Sequence, residues 1–271
     1  MKHAEVLEKI MAVYPPLPFP ETCDTIKFGD PSGECTGITT SCALTVEVIR
    51  ETIRRGANLI IVHEPCFYTH DDKTDWLAGN EVFEKKAAML REAGIVVWRN
   101  HDHMHKAKPD EIFSGFTKAV EWSAYQQAAP FRNAGYFVLP PMSLRDLARH
   151  LRDCLHLSSG RVVGNMDAVV SKVAIAGHIF PSWDDQEQNY TKILSREDVD
   201  VLLAMECIEW TTMGYARDAA QLGMNKAIIQ AGHFVTEEPG MPLLADHLRL
   251  LLGDAIPVSF IASGDPWQTI Q

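Results

Sequence analysis

The chain has 271 residues, of which 46% are hydrophobic and 23% charged, and its formal net charge at pH 7 is -11. That length supports one large domain or two modest ones around a buried core. The acidic balance repels phosphate backbones, with no basic run as a local exception, and no apolar run approaches the roughly 20 residues needed to span a bilayer.

The opening stretch MKHAEVLEKIMAVYPPLPFP predicts an amphipathic helix stopped by prolines. It lacks the apolar h-region and small-residue cleavage site of a signal peptide, so a soluble, cytoplasmic protein without membrane or nucleic-acid partners is expected. Cys23, Cys35, Cys42, Cys66, Cys154 and Cys207 are scattered and form no C-x-x-C pair. They read as small buried residues in a reducing compartment rather than a disulfide framework or zinc ribbon.

TVEVIRETIRR (45–55) carries apolar Val46, Ile49 and Ile53 at helical spacing. NLIIVHEP (58–65) predicts a strand ending at His63 and Glu64. Neighbours on an extended chain point to opposite faces, but at a strand end the backbone can turn and bring both to one cleft. The plainer alternative is a surface pair after a buried strand. The polar loop FYTHDDKTDWLAG (67–79) is long for a connection and reads as a lid or an interface segment. NEVFEKKAAMLREAG (80–94) predicts a helix with Gly94 as its C-terminal cap.

GIVVWRN (94–100) predicts a strand that runs into His101, His103 and His105. If the strand continues, all three imidazoles share one face and Asp102 and Met104 take the other. Adjacent same-face residues are then about 6.5–7 Å apart, which suits ligands converging on metal ions. A polar loop in which one or two histidines merely hydrogen-bond is the alternative.

GYFVLP (135–140) predicts the next strand, and SLRDLARHLRDCL (143–155) a helix with Ser143 as its N-cap. SKVAIAGH (171–178) predicts a strand ending at His178, a candidate anion or substrate contact or else a structural histidine. VDVLLAM (199–205) leads to Glu206 and Glu209, either of which could partner a metal ligand, touch substrate or act as general acid/base. Surface carboxylates after a strand are an equal alternative. A helix over TTMGYARDAAQLG (211–223) is followed by a strand over NKAIIQAGH (225–233), with Glu237 four residues after His233. On a helical turn those two share a face, although a glutamate there would also suit a helix start. PGMPLLADHLRLLLG (239–253) and IPVSFIAS (256–263) predict a last helix and a last strand. Such alternation predicts an α/β fold with covered sheets and functional groups at strand ends.

Three strand ends thus offer His63, Glu64, His101, His103, His105, His233 and Glu237. So many mixed nitrogen and oxygen donors exceed the needs of one tetrahedral ion. They suit two divalent ions sharing a carboxylate, of the kind that activates water, with Zn, Mn, Fe or Co compatible. No phosphate loop, dinucleotide fingerprint or nucleophile elbow is present. Cys66 near His63, with a proline between, makes a poor thiol–imidazole pair. His101-x-His103 as the first-strand pair of a barrel hydrolase is disfavoured, because it arrives a third of the way along the chain.

GANLIIVHEPCFY, GIVVWRNHDHMH and IIQAGHFVTEEPG together resemble the Nif-three family of dinuclear-metal hexameric proteins, also named GTP cyclohydrolase I type 2. The family motifs read G-A-D-L-I-I-T-H-H-P, H-T-N-L-D and G-H-y-x-x-E, and their order and spacing match over nearly the whole chain. The resemblance implies that His63, His101, His233 and Glu237 keep family positions. Glu64 stands where a histidine is usual, and His105 where the aspartate of H-T-N-L-D is usual. Glu64 or Glu237 would then have to bridge, since a neutral imidazole binds one ion. Ala204-Met205-Glu206 takes the place of the family's T-G-D, and Trp210 that of a following histidine. The implied fold is a two-lobed α/β subunit, mixed sheets flanked by helices, with the metal site in the inter-lobe cleft. Residues 1–125 with 226–271 would form the metal-binding lobe and 126–225 the second. Six such subunits would form a toroid.

The expected function is a metal-dependent hydrolase with two Zn, Mn or Fe ions per chain, acting on a small, nucleotide-like or heterocyclic substrate. Glu64 and Glu206 are its candidate catalytic groups. A non-catalytic metal-binding hexameric scaffold is the alternative.

Overall fold

The computed structural model describes residues 1–180 and 189–268. These form two compact units, Met1–Gly115 with Glu237–Ser263, and Phe116–Thr236 with the segment from Gly264.

The first unit opens with α1 (His3–Met11), then β1 (Ile26–Phe28), β2 (Ile38–Ser41), α2 (Val46–Arg54), β3 (Leu59–Val62), α3 (Glu81–Glu92), β4 (Val96–Arg99) and the short α4 (Asp102–Lys106). Then α5 (Glu111–Ala119) carries the chain into the second unit. The first unit's sheet has the order β1–β4–β3–β2, with a fifth strand from the far end of the chain. Its central strands are parallel and buried along their whole length, which is why LIIV and VVWR read as continuous rather than alternating runs. Thr45 and Asn80 cap α2 and α3 through their side-chain oxygens. Val48, Ile49 and Leu90 of those helices close over Ile60, Val62 and Val97 of the sheet.

The second unit continues with β5 (Gly135–Ser143), α6 (Leu144–Cys154), β6 (Arg161–Val163), β7 (Val169–Ile179), α7 (Tyr190–Ser195), β8 (Val201–Cys207), α8 (Thr212–Gln221), β9 (Ala227–Gln230) and α9 (His233–Glu237). Its sheet has the order β5–β7–β8–β9–β6, with β7, β8 and β9 parallel and both outer strands antiparallel. Ser143 caps α6 as expected, accepting from the Asp146 N–H. Ile193, Leu194, Met213 and Ala216 pack on Leu202, Ala204 and Ile228.

The chain then returns to the first unit at Glu237, the last residue of α9, and α10 (Gly240–Leu252) precedes β10 (Val258–Phe260), the fifth strand, parallel to β2. Both sheets are mixed and open, so the fold is the α/β class expected and the barrel alternative fails. Among the described residues, no helix is long and apolar enough to cross a membrane.

The loop at 67–79 is pinned rather than loose. The buried Asp72 carboxylate accepts from the Cys66 and Phe67 N–H groups at 2.6 and 2.9 Å, and Lys27 and Arg99 lie 3.5 and 3.7 Å from it. Cys66 is buried there, and burial, then the nearby Asp72 charge, pushes its thiol far above the ordinary range, which rules out a ready thiolate.

Candidate metal centre

In the first unit the donor cluster starts where β3 ends. The His63 and Glu64 N–H groups both donate to the Cys42 carbonyl, at 3.2 and 2.8 Å, so the backbone turns and adjacent side chains reach one cluster. Buried Arg99 holds the turn by donating from Nε to the His63 carbonyl at 3.0 Å. His63, Glu64 and Glu237 are 0, 7 and 4% exposed, and each offers a ligand atom within 4.8 Å of the others. His63, His101 and His105 form an overlapping group on the same criterion, with ring centroids 4.5 to 4.9 Å apart.

The segment after β4 is helical, which corrects the expectation of a strand continuing through 101–105. Asp24 is the cause. Its buried carboxylate accepts from the N–H groups of His101, Asp102 and His103 at 2.6, 2.9 and 2.8 Å and so caps α4 from a distant loop. In a helix, residues i and i+4 share a face. His101 and His105 therefore join His63, and His103 does not. His103 donates from Nδ1 to Asp24 at 2.6 Å, and it joins none of the described donor groups.

Carbonyls and carboxylates only accept, so their contacts identify the protonated ring nitrogens. His63 donates from Nδ1 to the Asn100 carbonyl at 3.2 Å, His101 from Nδ1 to Asp102 at 3.0 Å, and His105 from Nδ1 to Asp110 at 3.0 Å. Each imidazole is anchored on one side and keeps an Nε2 lone pair on the other, the arrangement typical of metal-binding histidines. The His63 Nε2 lies 3.4 Å from a Glu237 oxygen and 4.0 Å from a Glu64 oxygen, and it is buried without a hydrogen-bond partner.

Protonation is arranged unevenly. Burial, then the neighbouring His63 and His105, pushes His101 down to about 4, leaving it neutral at pH 7. Burial pulls His105 down too, but the Asp110 hydrogen bond and charge, then Glu237 and Glu64, outweigh it and raise the ring above its ordinary value. The donor set fits a divalent ion: imidazoles anchored through Nδ1, buried carboxylates and an orphaned nitrogen between them.

Glu206 and His233 belong to the second unit, where His178 joins them in another group of donors within 4.8 Å. His178 donates from Nδ1 to Glu206 at 2.9 Å, and the His233 Nδ1 lies 3.4 Å from the other Glu206 oxygen. Glu209 is exposed beside Arg161.

Sequence reasoning missed Asp24, Asn100 and Asp110, which orient the imidazoles. Asp110 left a signal: it follows Pro109, opens α5 and accepts from the Phe113 N–H at 3.0 Å, as an N-cap does. Asp24 and the Asn100 carbonyl left none, since their role exists only in the folded chain.

Two open mixed sheets with histidine–carboxylate clusters at their strand ends make this an α/β protein with candidate metal sites. This chain belongs to the Duf34/NIF3 (NGG1p interacting factor 3) family, whose pattern matches residues 1–266. A protein named GTP cyclohydrolase 1 type 2 homolog in Clostridium acetobutylicum is 24% identical over 249 residues, covering 89% of this chain and 87% of that protein. Its namesake in Clostridium perfringens is 22% identical over 253 residues, covering 89% of each. Among solved structures, Staphylococcus aureus protein SA1388 aligns over 100% of this chain and 99% of its own at 19% identity, with a TM-score of 0.73. A Bacillus cereus protein related to NIF3 aligns over the same shares at 15% identity and a TM-score of 0.73.

Proposed function

We propose that the chain is a divalent-metal-dependent hydrolase acting on a small, nucleotide-like or heterocyclic substrate. The carrying observation is the buried His63 Nε2, which has no hydrogen-bond partner and lies among Glu64, Glu237, His101 and His105. Those five residues would hold the metal, as a pair of Zn, Mn or Fe ions or a single one. A bound divalent ion supplies Lewis-acid polarisation and lowers the pKa of water.

The chain's own residues do the rest. Asn100, Asp102 and Asp110 fix the ring orientations, and Glu64 and Glu237 would supply the carboxylates that hold the metal. Glu64 is the candidate for moving a proton at the reacting water. The names of the clostridial relatives support a ring-opening hydrolysis of a purine-like substrate. Assembly as a homo-hexamer, which the family resemblance implies, accompanies this reading and is checked by sedimentation.

The alternative is a non-catalytic metal-binding scaffold. The near-complete burial of His63, Glu64 and Glu237 favours it, because a catalytic ion must be reached by substrate.

The experiment is elemental analysis of purified wild type beside His63→Ala, followed by hydrolysis assays on purine nucleotides with and without chelator. Metal lost in the variant, together with chelator-sensitive turnover, is expected. Metal without turnover on any such substrate would favour the scaffold. Unchanged metal content in His63→Ala would sink both.

A further inference from the structure

We propose that a cavity inside the first unit binds a free fatty acid, its alkyl tail along an apolar groove and its carboxylate at Lys106 and Lys108. The site shares no residue with the candidate metal centre, and the proposal does not rest on the hydrolase reading. The cavity measures about 930 Å3, which is large for a small-molecule site, and it lies between the end of α1, the α4–α5 connection and α10.

Two of the walls are more apolar than the core requires. The buried stripe of α10 is Met241, Leu244, Ala245, Leu248 and Leu252, and the helix packs on β2 and β10. Leu244, His247, Leu248 and Leu251, spaced three and four apart, form a second stripe that lines the cavity. Leu250 and Leu251 remain 84 and 38% exposed. The core side of α1 is Val6, Leu7 and Ile10, yet Val13 beyond it also lines the cavity and is exposed. Pro15, Pro16 and Pro18 continue that wall. Proline has no N–H, so this stretch offers a ligand no backbone donor at those positions. Aliphatic walls poor in donors suit an alkyl chain, and an exposed apolar groove marks a binding site rather than a solvated face.

The polar groups are few, and most are committed. The Tyr14 hydroxyl donates to Glu111 at 2.6 Å, and His247 donates from Nδ1 to the other Glu111 oxygen at 2.9 Å. Both oxygens of the carboxylate in this lining are therefore engaged. Lys106 and Lys108, on either side of Ala107, are exposed, and neither has an ion-pair partner among the described residues. The Lys106 Nζ lies 5.9 Å from the centre of the Phe19 ring. In a chain of net charge -11, two lysines without carboxylate partners beside an apolar groove complement an amphiphile with one negative end. A fatty acid has that form. A neutral lipid would leave the lysines unmatched, and a sugar or nucleotide would leave the leucines unmatched.

The test is calorimetric titration of the full chain with decanoate, kept below the concentration at which it forms micelles, and with decanol as the same tail without the charge. Wild type is compared with Leu251→Asp and with the double variant Lys106→Ala/Lys108→Ala. All three positions are exposed, so the variants should fold, and a thermal melt verifies it. Wild type is expected to bind one decanoate per chain. Leu251→Asp should weaken decanoate and decanol alike, by about tenfold or more. The lysine variant should weaken decanoate about tenfold and leave decanol unchanged. No saturable binding by wild type, several molecules bound per chain, or decanoate affinity unchanged in the lysine variant would overturn the proposal. So would binding to anionic phospholipid vesicles without binding of free decanoate, which would make the groove a membrane contact. A wild type that binds none, beside a Leu250→Asp variant that binds decanoate and sediments as a smaller species, would also overturn it, because the groove would then be an interface between copies of the chain.

Discussion

The two donor clusters are built on opposite plans. In the first unit, His63, His101 and His105 each give the Nδ1–H to an acceptor outside their own group of three: the Asn100 carbonyl, Asp102 or Asp110. In the second, His178 gives its Nδ1–H to Glu206, a member of the group itself. Outside anchoring fixes tautomer and ring direction before any ion arrives. Inside anchoring leaves proton and ion to compete for the same atoms. The first cluster is therefore pre-organised for an ion in a way that the second is not.

The largest effect expected from breaking this contrast is at Asp24. Its buried carboxylate accepts from three N–H groups at the start of α4 and from the His103 ring, the contacts to His103 buried and those to His101 and Asp102 partly so. Asp24→Ala leaves those donors unsatisfied, at roughly 1–3 kcal/mol for each that water cannot reach. A loss of about 3–5 kcal/mol in urea unfolding is expected, with first-cluster metal lost. A loss within about 1 kcal/mol would mean that α4 holds itself.

Asp110→Asn is the gentler probe of outside anchoring. Asparagine caps α5 as well as aspartate does, so stability should hold. What changes is the acceptor for His105, and metal affinity should fall about 10–100-fold by calorimetric titration. His103→Ala should leave that affinity intact, since its ring serves Asp24. An affinity that drops in His103→Ala but not in Asp110→Asn would reverse the assignment of the two histidines.

That pair of variants also marks how far the sequence could be read. Strands 58–65, 94–100 and 171–178 and helices 45–55, 80–94 and 143–155 stood out because burial writes continuous or periodic apolar runs. β2 did not, although it lies inside the sheet, because its residues are Ile-Thr-Thr-Ser. Its hydroxyls are satisfied by Thr52, the Met241 carbonyl and Ser263, partners from remote parts of the chain. The histidines were legible as a set, but not which of them would meet. Period two and period four both fit His101, His103 and His105, and Asp24, some 77 residues before His101, decides for the helix. The His178–Glu206 pairing follows from the register of β7 on β8, which no spacing within either strand announces.

A smaller effect concerns Lys86, which donates to the Cys66 carbonyl at 2.7 Å, two residues beyond Glu64, and lies over the Phe67 and Tyr68 rings. Burial pulls its ammonium from the ordinary 10.5 down to about 8. Between those values the unfolded chain holds a proton that the folded chain lacks, so unfolding takes one up and stability rises with pH. This contribution is complete above about 10.5 and is lost as pH falls through about 8. Lys86→Met should remove roughly 2 kcal/mol of rise between pH 8 and 10, read as the difference in urea midpoints. Parallel pH profiles for variant and wild type would show that the lysine reaches water.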